Sequence, residues 1–272
     1  MRLAVTTPLH PQADEIEAAL RAAERYGLPY VARGGRALSR VTAEVGAEAA
    51  LVLSRTRAVL SAGGAEHAWS PGMGALRLAR LLAAHAGKPG DPTERDPFLD
   101  AAGIVPGDHV LDCTAGLGAD ALVAAAAAGP KGRVLALESS PALAAWTGEG
   151  LRRYDREAAR RVEVLHADHG AWLRKAPPRS FDVVVFDPMF RHARAEPGGF
   201  DVVRRLSDPR PLAPESLAEA RRVARRWVLV KDGAPGWDLA RLGLTPLPSA
   251  RGAHRYYARV PAESGPSGPA RE

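Results

Sequence analysis

The segment "HVLDCTAGLGADALVAAAAA" (residues 109–128) carries the clearest structural pattern in the chain. It begins with an apolar run typical of a buried strand, passes through Gly116 and Gly118, and continues in an alanine-rich segment with the composition of a helix. A strand that turns through glycines into a helix is the opening unit of an open parallel sheet, in which ligands bind beyond the carboxyl ends of the strands. We therefore expect a ligand site at residues 111–120.

The segments that follow repeat this alternation of strand and helix. Strands are predicted at 133–138, 162–168, 181–187 and 227–233, and helices at 119–128, 141–154 and 214–224. Strands that alternate with helices predict a doubly wound, mostly parallel α/β sheet with helices on both faces. A closing pair, "LTPLP" (244–248) and "HRYYARV" (254–260), completes a predicted sheet of seven strands.

The chain before this unit has a different organisation. A strand over 2–7, a helix that ends near Gly27 and two short strands within 49–64 predict a small N-terminal α+β subdomain over residues 1–66, which we expect to help hold the substrate. The remaining boundaries are predicted as connecting helices over 67–104, a ligand-binding α/β domain over 105–262 and a disordered tail over 263–272.

Composition limits the partners. The chain has 272 residues, a net charge of +6 and a pI of about 9.9, which favours a polyanion such as nucleic acid, although an arginine-rich coding bias is an alternative cause. The single cysteine, Cys113, is expected to be a buried strand residue in a protein of the reducing cytoplasm. The histidines show no metal-ligand spacing and no apolar run has membrane-spanning length, so we predict neither a metal nor a membrane partner. The sequence predicts no particular oligomeric state.

Three successive predicted strands end in an acid: Asp112, Glu138 and Asp168. Glu138 is placed to accept hydrogen bonds from both ribose hydroxyls, which suits NAD and S-adenosylmethionine alike. Asp112 would repel a pyrophosphate but suits a ligand with a cationic sulfonium and ammonium, and Asp168 is placed to bind an adenine amino group. The pattern favours S-adenosylmethionine. The alternative is that Asp112 and Asp168 only cap the helices that follow them.

The fourth strand ends unusually, in "DPMF" (187–190). Methylation of an exocyclic base amine needs acceptors for the amine hydrogens, which the Asp187 carboxylate and the Pro188 carbonyl would supply. The base must also stack on a flat side chain, and we predict that Phe190, beside Met189, provides it. The released proton needs an acceptor, for which Asp187 is a candidate. The alternative is that Met189 and Phe190 pack into the core.

These motifs together resemble a known family. "LDCTAGLGADA" (111–121), "ALESSP" (136–141), "LHAD" (165–168) and "VVVFDPMF" (183–190) are similar to the small-subunit ribosomal RNA guanine-N2 methyltransferases of the RsmJ kind, and still more to their uncharacterised relatives in Gram-positive bacteria. The likeness extends over residues 67–260, through "WSPGMGALRLARLL" (69–82), "WVLVKDG" (227–233) and "HRYYARV". The first 66 residues share it only in outline.

The resemblance implies a class I methyltransferase, with a Rossmann-like fold and S-adenosylmethionine as its methyl donor. Combined with the glycine loop, it predicts the donor-binding residues Asp112, Thr114, Ala115, Gly116, Gly118, Ala119, Asp120, Glu138, Ser139, Asp168, His169 and Asp187. The chain departs from the ribosomal RNA enzymes at Ala119, where they have arginine, and at Asp168 and His169, where they have a serine pair. We expect the donor pocket to survive these departures.

The leading hypothesis is a methyltransferase that acts on an exocyclic amine of an RNA base, with guanine N2 of small-subunit ribosomal RNA as the expected target and RNA or a ribosomal subunit as its partner. The basic residues predicted to hold phosphates are Arg191, His192, Arg194, Arg221, Arg222, Arg225 and Arg226. The alternatives are a small-molecule or protein acceptor, an RNA-binding module without activity, and an NAD-dependent oxidoreductase. No Tyr-x-x-x-Lys pair supports the last of these.

Overall fold

The computed structural model describes residues 1–86, 96–188, 200–248 and 254–263. Its strands are β1 (Leu3–Thr6), β2 (Ala49–Leu53), β3 (Ala58–Ala62), β4 (Ala65–Ala68), β5 (His109–Asp112), β6 (Arg133–Glu138), β7 (Val162–His166), β8 (Phe181–Phe186), β9 (Ala224–Gly233) and β10 (Arg255–Pro261). Its helices are α1 (Ala13–Tyr26), α2 (Leu38–Glu44), α3 (Met73–His85), α4 (Pro97–Ala102), α5 (Ala119–Ala128), α6 (Pro141–Arg153), α7 (His169–Lys175), α8 (Phe200–Leu206), α9 (Pro214–Val223) and α10 (Trp237–Arg241). A short 3-10 helix, Glu157–Arg161, precedes β7.

The larger sheet has the strand order β10-β9-β8-β5-β6-β7. All of its pairs are parallel except β9 with β10. The chain proceeds outward from β5 through β6 to β7, and then returns to the other side of β5 as β8. The strand order therefore reverses beside β5, and the carboxyl ends of β5, β6 and β8 meet where an open α/β sheet binds its ligands. The predicted doubly wound, mostly parallel fold class is confirmed.

The prediction of seven strands is wrong for the described residues, which form six in this sheet. "LTPLP" (244–248) runs beside β10 but has no strand structure, and its link to β10 is a backbone hydrogen bond of 2.7 Å from Leu247 N–H to the carbonyl of Tyr257. Pro246 and Pro248 have no N–H group to donate, so this segment lacks the donors on which a continuous ladder depends.

The smaller sheet has the strand order β1-β2-β3-β4, with β1 parallel to β2 and the other pairs antiparallel. The sequence indicated β1, α1, β2 and β3 but not α2 or β4. It also gave no helix between the predicted strand 181–187 and the predicted helix 214–224, where the structure has α8 at Phe200–Leu206. The strand β4 continues to Ala68. The proposed domain boundary at residue 66 remains a prediction.

Helix α6 lies where the two sheets meet. Every residue from Ala142 to Leu151 is buried, because the N-terminal sheet and α1 cover a face that would otherwise meet solvent. Trp146 donates its indole N–H to the carbonyl of Ala58 on β3 at 3.3 Å. One hydrophobic cluster runs from β1 and α1 through α6 into β5 and β8. None of the described helices has the length and apolar composition that a membrane span requires.

Candidate functional site

The loop between β5 and α5 turns through two glycines in the left-handed region. Gly116 has φ 52° and Gly118 has φ 77°. The hydroxyl of Thr147 on α6 donates to the carbonyl of Gly116 at 2.6 Å, and a Cβ at Gly118 would lie 3.1 Å from Leu151 and 3.2 Å from Thr147. Helix α6 therefore packs directly onto the loop, where the backbone conformation favours glycine at 118 and a Cβ would be tightly fitted.

The loop and the strand ends border a cleft of about 550 Å³, open mouth included. The cleft is lined by Cys113, Thr114, Gly116, Glu138, Ser139, His169, Phe186, Asp187, Pro188, Ser207, Asp208, Arg210 and Leu212. Its walls therefore come from the ends of β5, β6 and β8, the start of α7 and the segment between α8 and α9.

The cleft unites half of the predicted donor-binding residues. Thr114, Gly116, Glu138, Ser139, His169 and Asp187 line it, as does Pro188. The other predicted residues, Asp112, Ala115, Gly118, Ala119, Asp120 and Asp168, are not among the lining residues. Met189 and Phe190, with the basic residues Arg191, His192 and Arg194, lie outside the described residues. Six lining residues were not predicted as site residues. Cys113 and Phe186 were expected only as buried strand residues, and nothing in the sequence shows that the segment with Ser207, Asp208, Arg210 and Leu212 returns to the cleft.

Glu138 ties the end of β6 to the glycine loop. Its side chain is buried, with Oε2 accepting the N–H of Gly116 at 3.1 Å and Oε1 accepting the N–H of Ser140 at 2.9 Å. Burial raises the pKa of Glu138, and the two backbone donors oppose that rise. The carboxylate is thus fixed by its neighbours at the wall of the cleft, where a ligand's hydroxyl groups would meet it.

Asp112 is buried behind the loop. Its Oδ1 accepts the N–H of Thr114 at 2.9 Å. Burial, together with the nearby charges of Asp120 and Asp187, raises the pKa of Asp112 to about 7. The N-cap position of α5 is held by Gly118, so the alternative that Asp112 caps this helix is wrong. A buried carboxyl group that is partly ionised at neutral pH would gain stability from a cationic ligand.

Asp168 does cap the helix that follows it. Its Oδ1 accepts the N–H of Ala171 at 2.9 Å as the N-cap of α7, and its Oδ2 pairs with the guanidinium of Arg210 at 2.9 Å. The capping alternative is confirmed here, and the predicted donor contact of Asp168 stays a prediction. The neighbouring His169 does line the cleft, edge-on to the Phe186 ring at 5.4 Å between centroids, and burial lowers its pKa.

Asp187 is held at the cleft by two contacts. Its backbone N–H donates to the hydroxyl of Thr114 at 2.6 Å, which joins the ends of β8 and β5. Its Oδ2 contacts the ammonium of Lys231 on β9. Burial raises the pKa of Asp187, and the charge of Lys231 opposes that rise. The sequence prediction missed Lys231, for which the available signal was a lysine near the end of the apolar run "WVLVKDG".

Asp120 is bound by two cations rather than facing the cleft. Arg77 on α3 and Lys231 both pair with its buried carboxylate. Burial alone would raise the pKa of Asp120, but these two charges lower it to about 2. The residue before Asp120 is Ala119, and a Cβ on Gly74 of α3 would lie 2.9 Å from its Cα. Helix α3 therefore packs against the first turn of α5.

The remaining predicted residues have other roles in the structure. Cys113, one residue beyond the end of β5, is buried at the wall of the cleft, and burial raises its thiol pKa well above the usual value, as expected for a packing residue rather than a nucleophile. Four of the arginines predicted to bind phosphate lie at or just before the start of β9, at the opposite edge of the sheet from the cleft. These residues, Arg221, Arg222, Arg225 and Arg226, donate to protein acceptors. No group of metal-binding side chains occurs among the described residues.

A family model described as "Putative SAM-dependent methyltransferase" matches residues 85–240, which is more than half of the chain. A solved structure with a similar fold is that of the SAM-dependent methyltransferase NGO1261 from Neisseria gonorrhoeae, with a TM-score of 0.58 at 18% identity over 99% of this chain and 100% of that one. At this identity the likeness shows a shared fold.

Curated relatives include two kinds of protein. The uncharacterized protein YpiP of Bacillus subtilis is 29% identical over 84% of this chain and 88% of its own length. The "Ribosomal RNA small subunit methyltransferase J" of Alkalilimnicola ehrlichii is 33% identical over 54% of this chain, and that of Cronobacter sakazakii is 36% identical over 57%. The matched segments span 62% and 64% of those two enzymes.

Proposed function

This chain belongs to the S-adenosylmethionine-dependent methyltransferases, and we propose that it methylates an exocyclic amine of an RNA base, guanine N2 of small-subunit ribosomal RNA. The observation that carries this proposal is that Asp187 and Pro188, at the end of β8, line the same cleft as Glu138 and the glycine loop. The names of the curated relatives and the resemblance of the "DPMF" motif support the RNA target.

The cleft fits the donor chemically. Gly116 presents backbone without a side chain at the wall, Glu138 would accept hydrogen bonds from the ribose hydroxyls, and the buried Asp112 would offset the donor's positive charge. When bound, S-adenosylmethionine supplies a methyl group that its sulfonium makes electrophilic. The choice between NAD and S-adenosylmethionine, which the glycine loop alone left open, is decided by family membership.

The acceptor amine would be aligned by the end of β8. The nitrogen lone pair of a base amine is delocalised into the ring, so it attacks only when the amine is turned out of conjugation. Hydrogen bonds from the amine to the Asp187 carboxylate and the Pro188 carbonyl would hold that orientation. As the nitrogen–carbon bond forms, the sulfur–carbon bond breaks and its electron pair stays on sulfur. The surplus proton on nitrogen would pass to Asp187 and then to water at the open mouth.

Transfer of labelled methyl groups tests this function. The protein is incubated with radiolabelled donor and either undermodified small subunits, their free RNA, transfer RNA or bulk protein. We expect label in the small-subunit RNA, and loss of transfer in Asp187→Ala. The matched control is Asp182→Asn at the other end of the same strand, where the side chain accepts the N–H of His109, and it should keep transfer.

Two results would contradict the proposal. One is label in protein or small molecules while every RNA stays unlabelled. The other is RNA binding whose affinity does not fall as the salt concentration rises. For single strands, a plot of log affinity against log salt concentration has a slope of about −0.7 for each phosphate that the protein contacts. Either result would favour a different acceptor for the same donor cleft.

A further inference from the structure

Lys231 is a buried ammonium group behind the cleft. Its Nζ lies 2.9 Å from Oδ2 of Asp120 and contacts Oδ2 of Asp187. The side chains of Lys231 and Asp120 are 10% and 9% exposed, whereas that of Asp187 is 27% exposed. Asp187 is the one of these three that lines the cleft. The ammonium therefore acts on the cleft through Asp187.

The Lys231 ammonium belongs to a chain of ion pairs that begins at Asp96 and ends at Asp187. Asp96, the N-cap of α4, accepts hydrogen bonds of 2.6 and 3.0 Å from the guanidinium of Arg77, which also pairs with Asp120. Asp120 in turn pairs with Lys231. The chain thus connects α3, α4, α5 and β9 to the end of β8. Because each inner member has two partners, rotation of the ammonium away from Asp187 would break contacts on both sides.

We propose that Lys231 is a positioning residue, which holds the Asp187 carboxylate in place as the hydrogen-bond acceptor for the amine that receives the methyl group. This inference rests on the proposed function, because it assigns the cause of the Asp187 geometry on which that function depends. Lys231 is not among the residues that line the cleft, so no contact with either substrate is assigned to it.

The surrounding charges give the proposal a measurable consequence. The groups that face Asp187 and Lys231 are Asp112 at the end of β5, Asp120 on α5, and Arg255 and Tyr257 on β10. Burial and the charge of Asp120 raise the pKa of Asp187, while Lys231 and Arg255 lower it. Removal of the ammonium would therefore raise the pKa of Asp187 further. A protonated carboxyl group keeps one oxygen as a weaker acceptor but can no longer take up the proton that the amine releases, so both roles assigned to Asp187 would be weakened.

The first test is a carbon-13 NMR titration of the aspartate carboxyl groups in the free protein, with the Asp187 signal assigned by its loss in Asp187→Asn. In Lys231→Met, we expect the pKa of Asp187 to rise by about 1–3 units, the effect of an adjacent opposite charge. Asp120→Asn removes an acid and keeps the ammonium, so it should lower the pKa of Asp187. These opposite shifts do not depend on catalytic activity.

The second test is the pH profile of kcat/KM on RNA. The acidic limb should move to higher pH in Lys231→Met, with much of the lost activity recovered in alkali, and Lys231→Arg should restore the wild-type limb. The matched control is Glu149→Gln, which removes a different buried acid on α6, paired with Arg153 of the same helix and Arg25 of α1. It should lower stability without moving the limb.

Two outcomes separate this inference from the proposed function. An unchanged Asp187 pKa in folded Lys231→Met would overturn the role of Lys231, even if the enzyme methylates RNA. Should Lys231→Met fail to fold, Asp120→Asn decides, since a pKa of Asp187 that does not fall would also overturn the proposal. Shifted pKa values without any RNA methylation would instead leave the electrostatic role intact and contradict the proposed function.

Discussion

At the scale of single residues, Asp112 shows a conflict between stability and binding. Its pKa is about 7 in the folded protein, against 3.8 for an ordinary aspartate, so the folded state binds this proton more tightly than the unfolded state. The stabilisation that the protonated Asp112 side chain gives to the folded state is complete below about pH 4 and is lost as the pH rises through 7. Above that pH the buried anion destabilises the fold by up to about 4 kcal/mol, at 1.36 kcal/mol per pKa unit.

Asp112→Asn should therefore stabilise the free protein in alkali and weaken donor binding. The neutral amide keeps an acceptor for the N–H of Thr114 and never ionises, so the gain in the free energy of unfolding should be largest near pH 8 and vanish near pH 4. Urea unfolding at both pH values measures the gain, and calorimetry measures the donor affinity. A variant that is destabilised at pH 8, or that binds the donor as wild type does, would contradict this account of Asp112.

Glu138→Ala should lower donor affinity by about ten- to a hundredfold, because it removes an ionised acceptor whose hydrogen bonds are worth about 1.5–3 kcal/mol. The matched control is Glu163→Ala, an exposed acid on the neighbouring β7. Calorimetry with both variants measures the effect. Equal affinities in the two variants would show that Glu138 only supports the loop.

Sequence patterns identified the acids at the strand ends but not the cation between them. Glu138 and Asp187 follow apolar runs, and the end of a buried run is a local signal. Lys231 lies 111 residues from Asp120 and 44 from Asp187, so its pairing depends on the strand order, which no short window contains. The capping role of Asp168 was foreseen only as an alternative, because an acid before a helix suits both roles equally.

At the scale of elements, the first turn of α3 packs against the start of α5, directly after the glycine loop. A Cβ on Gly74 would lie 2.9 Å from the Cα of Ala119, and this contact is with backbone that leads directly into the glycine loop. Arg77, one turn further along α3, pairs with the carboxylate of Asp120. The position of α5, and hence of the loop before it, therefore depends on close packing by α3.

Gly74→Ala should push α3 away from α5. Overpacking of this kind costs about 1–3 kcal/mol of folding stability, and here it should also weaken donor binding because the loop moves with α5. The matched control is Ala84→Leu, which adds volume at an exposed position of the same helix. Thermal melts with and without donor compare the two variants. A normal donor-induced shift in Gly74→Ala would show that α3 does not support the loop.

The boundaries of helices and strands were predictable where the pattern of apolar residues in the sequence agrees with the burial in the structure. "RVLALE" corresponds to β6 residue for residue, and Val183–Phe186 are fully buried in β8 as a two-sided apolar run requires. The strand β4 was missed because it is "AEHA", a mostly exposed edge whose pairing with β3 is set by the preceding turn rather than by its composition. The helix α8 was missed because it lies inside a long connection.

At the scale of the whole molecule, the N-terminal sheet and the methyltransferase sheet share a core. A Cβ on Gly150 would lie 2.0 Å from the ring of Trp69, and one on Gly148 would lie 1.9 Å from the hydroxyl oxygen of Tyr26. Tyr26, the last residue of α1, and Trp69, which directly follows β4, thus pack against the backbone of α6. We therefore expect the two parts to unfold in one cooperative transition. The role of residues 1–66 in holding the substrate stays a prediction.

Gly150→Ala tests this cooperativity. The rigid indole cannot move aside at low cost, so the variant should lose several kcal/mol of stability and still unfold in a single calorimetric transition at a lower temperature. Gly64→Ala, in the turn between β3 and β4 where φ is 80° and a Cβ would meet nothing, strains the backbone without adding a clash, so it should lower the melting temperature less than Gly150→Ala does. Two separate transitions, in the wild type or the variant, would show that the parts fold independently.

The atom that receives the methyl group shows whether the cleft aligns an exocyclic amine of guanine for methylation. Undermodified small-subunit RNA is methylated by the wild-type protein, digested to nucleosides and analysed by mass spectrometry against synthetic standards. A cleft that aligns an exocyclic amine with Asp187 and Pro188 predicts N2-methylguanosine at a defined position and no other new nucleoside. A methyl group on a ring nitrogen, a ring carbon or a ribose oxygen would contradict the account.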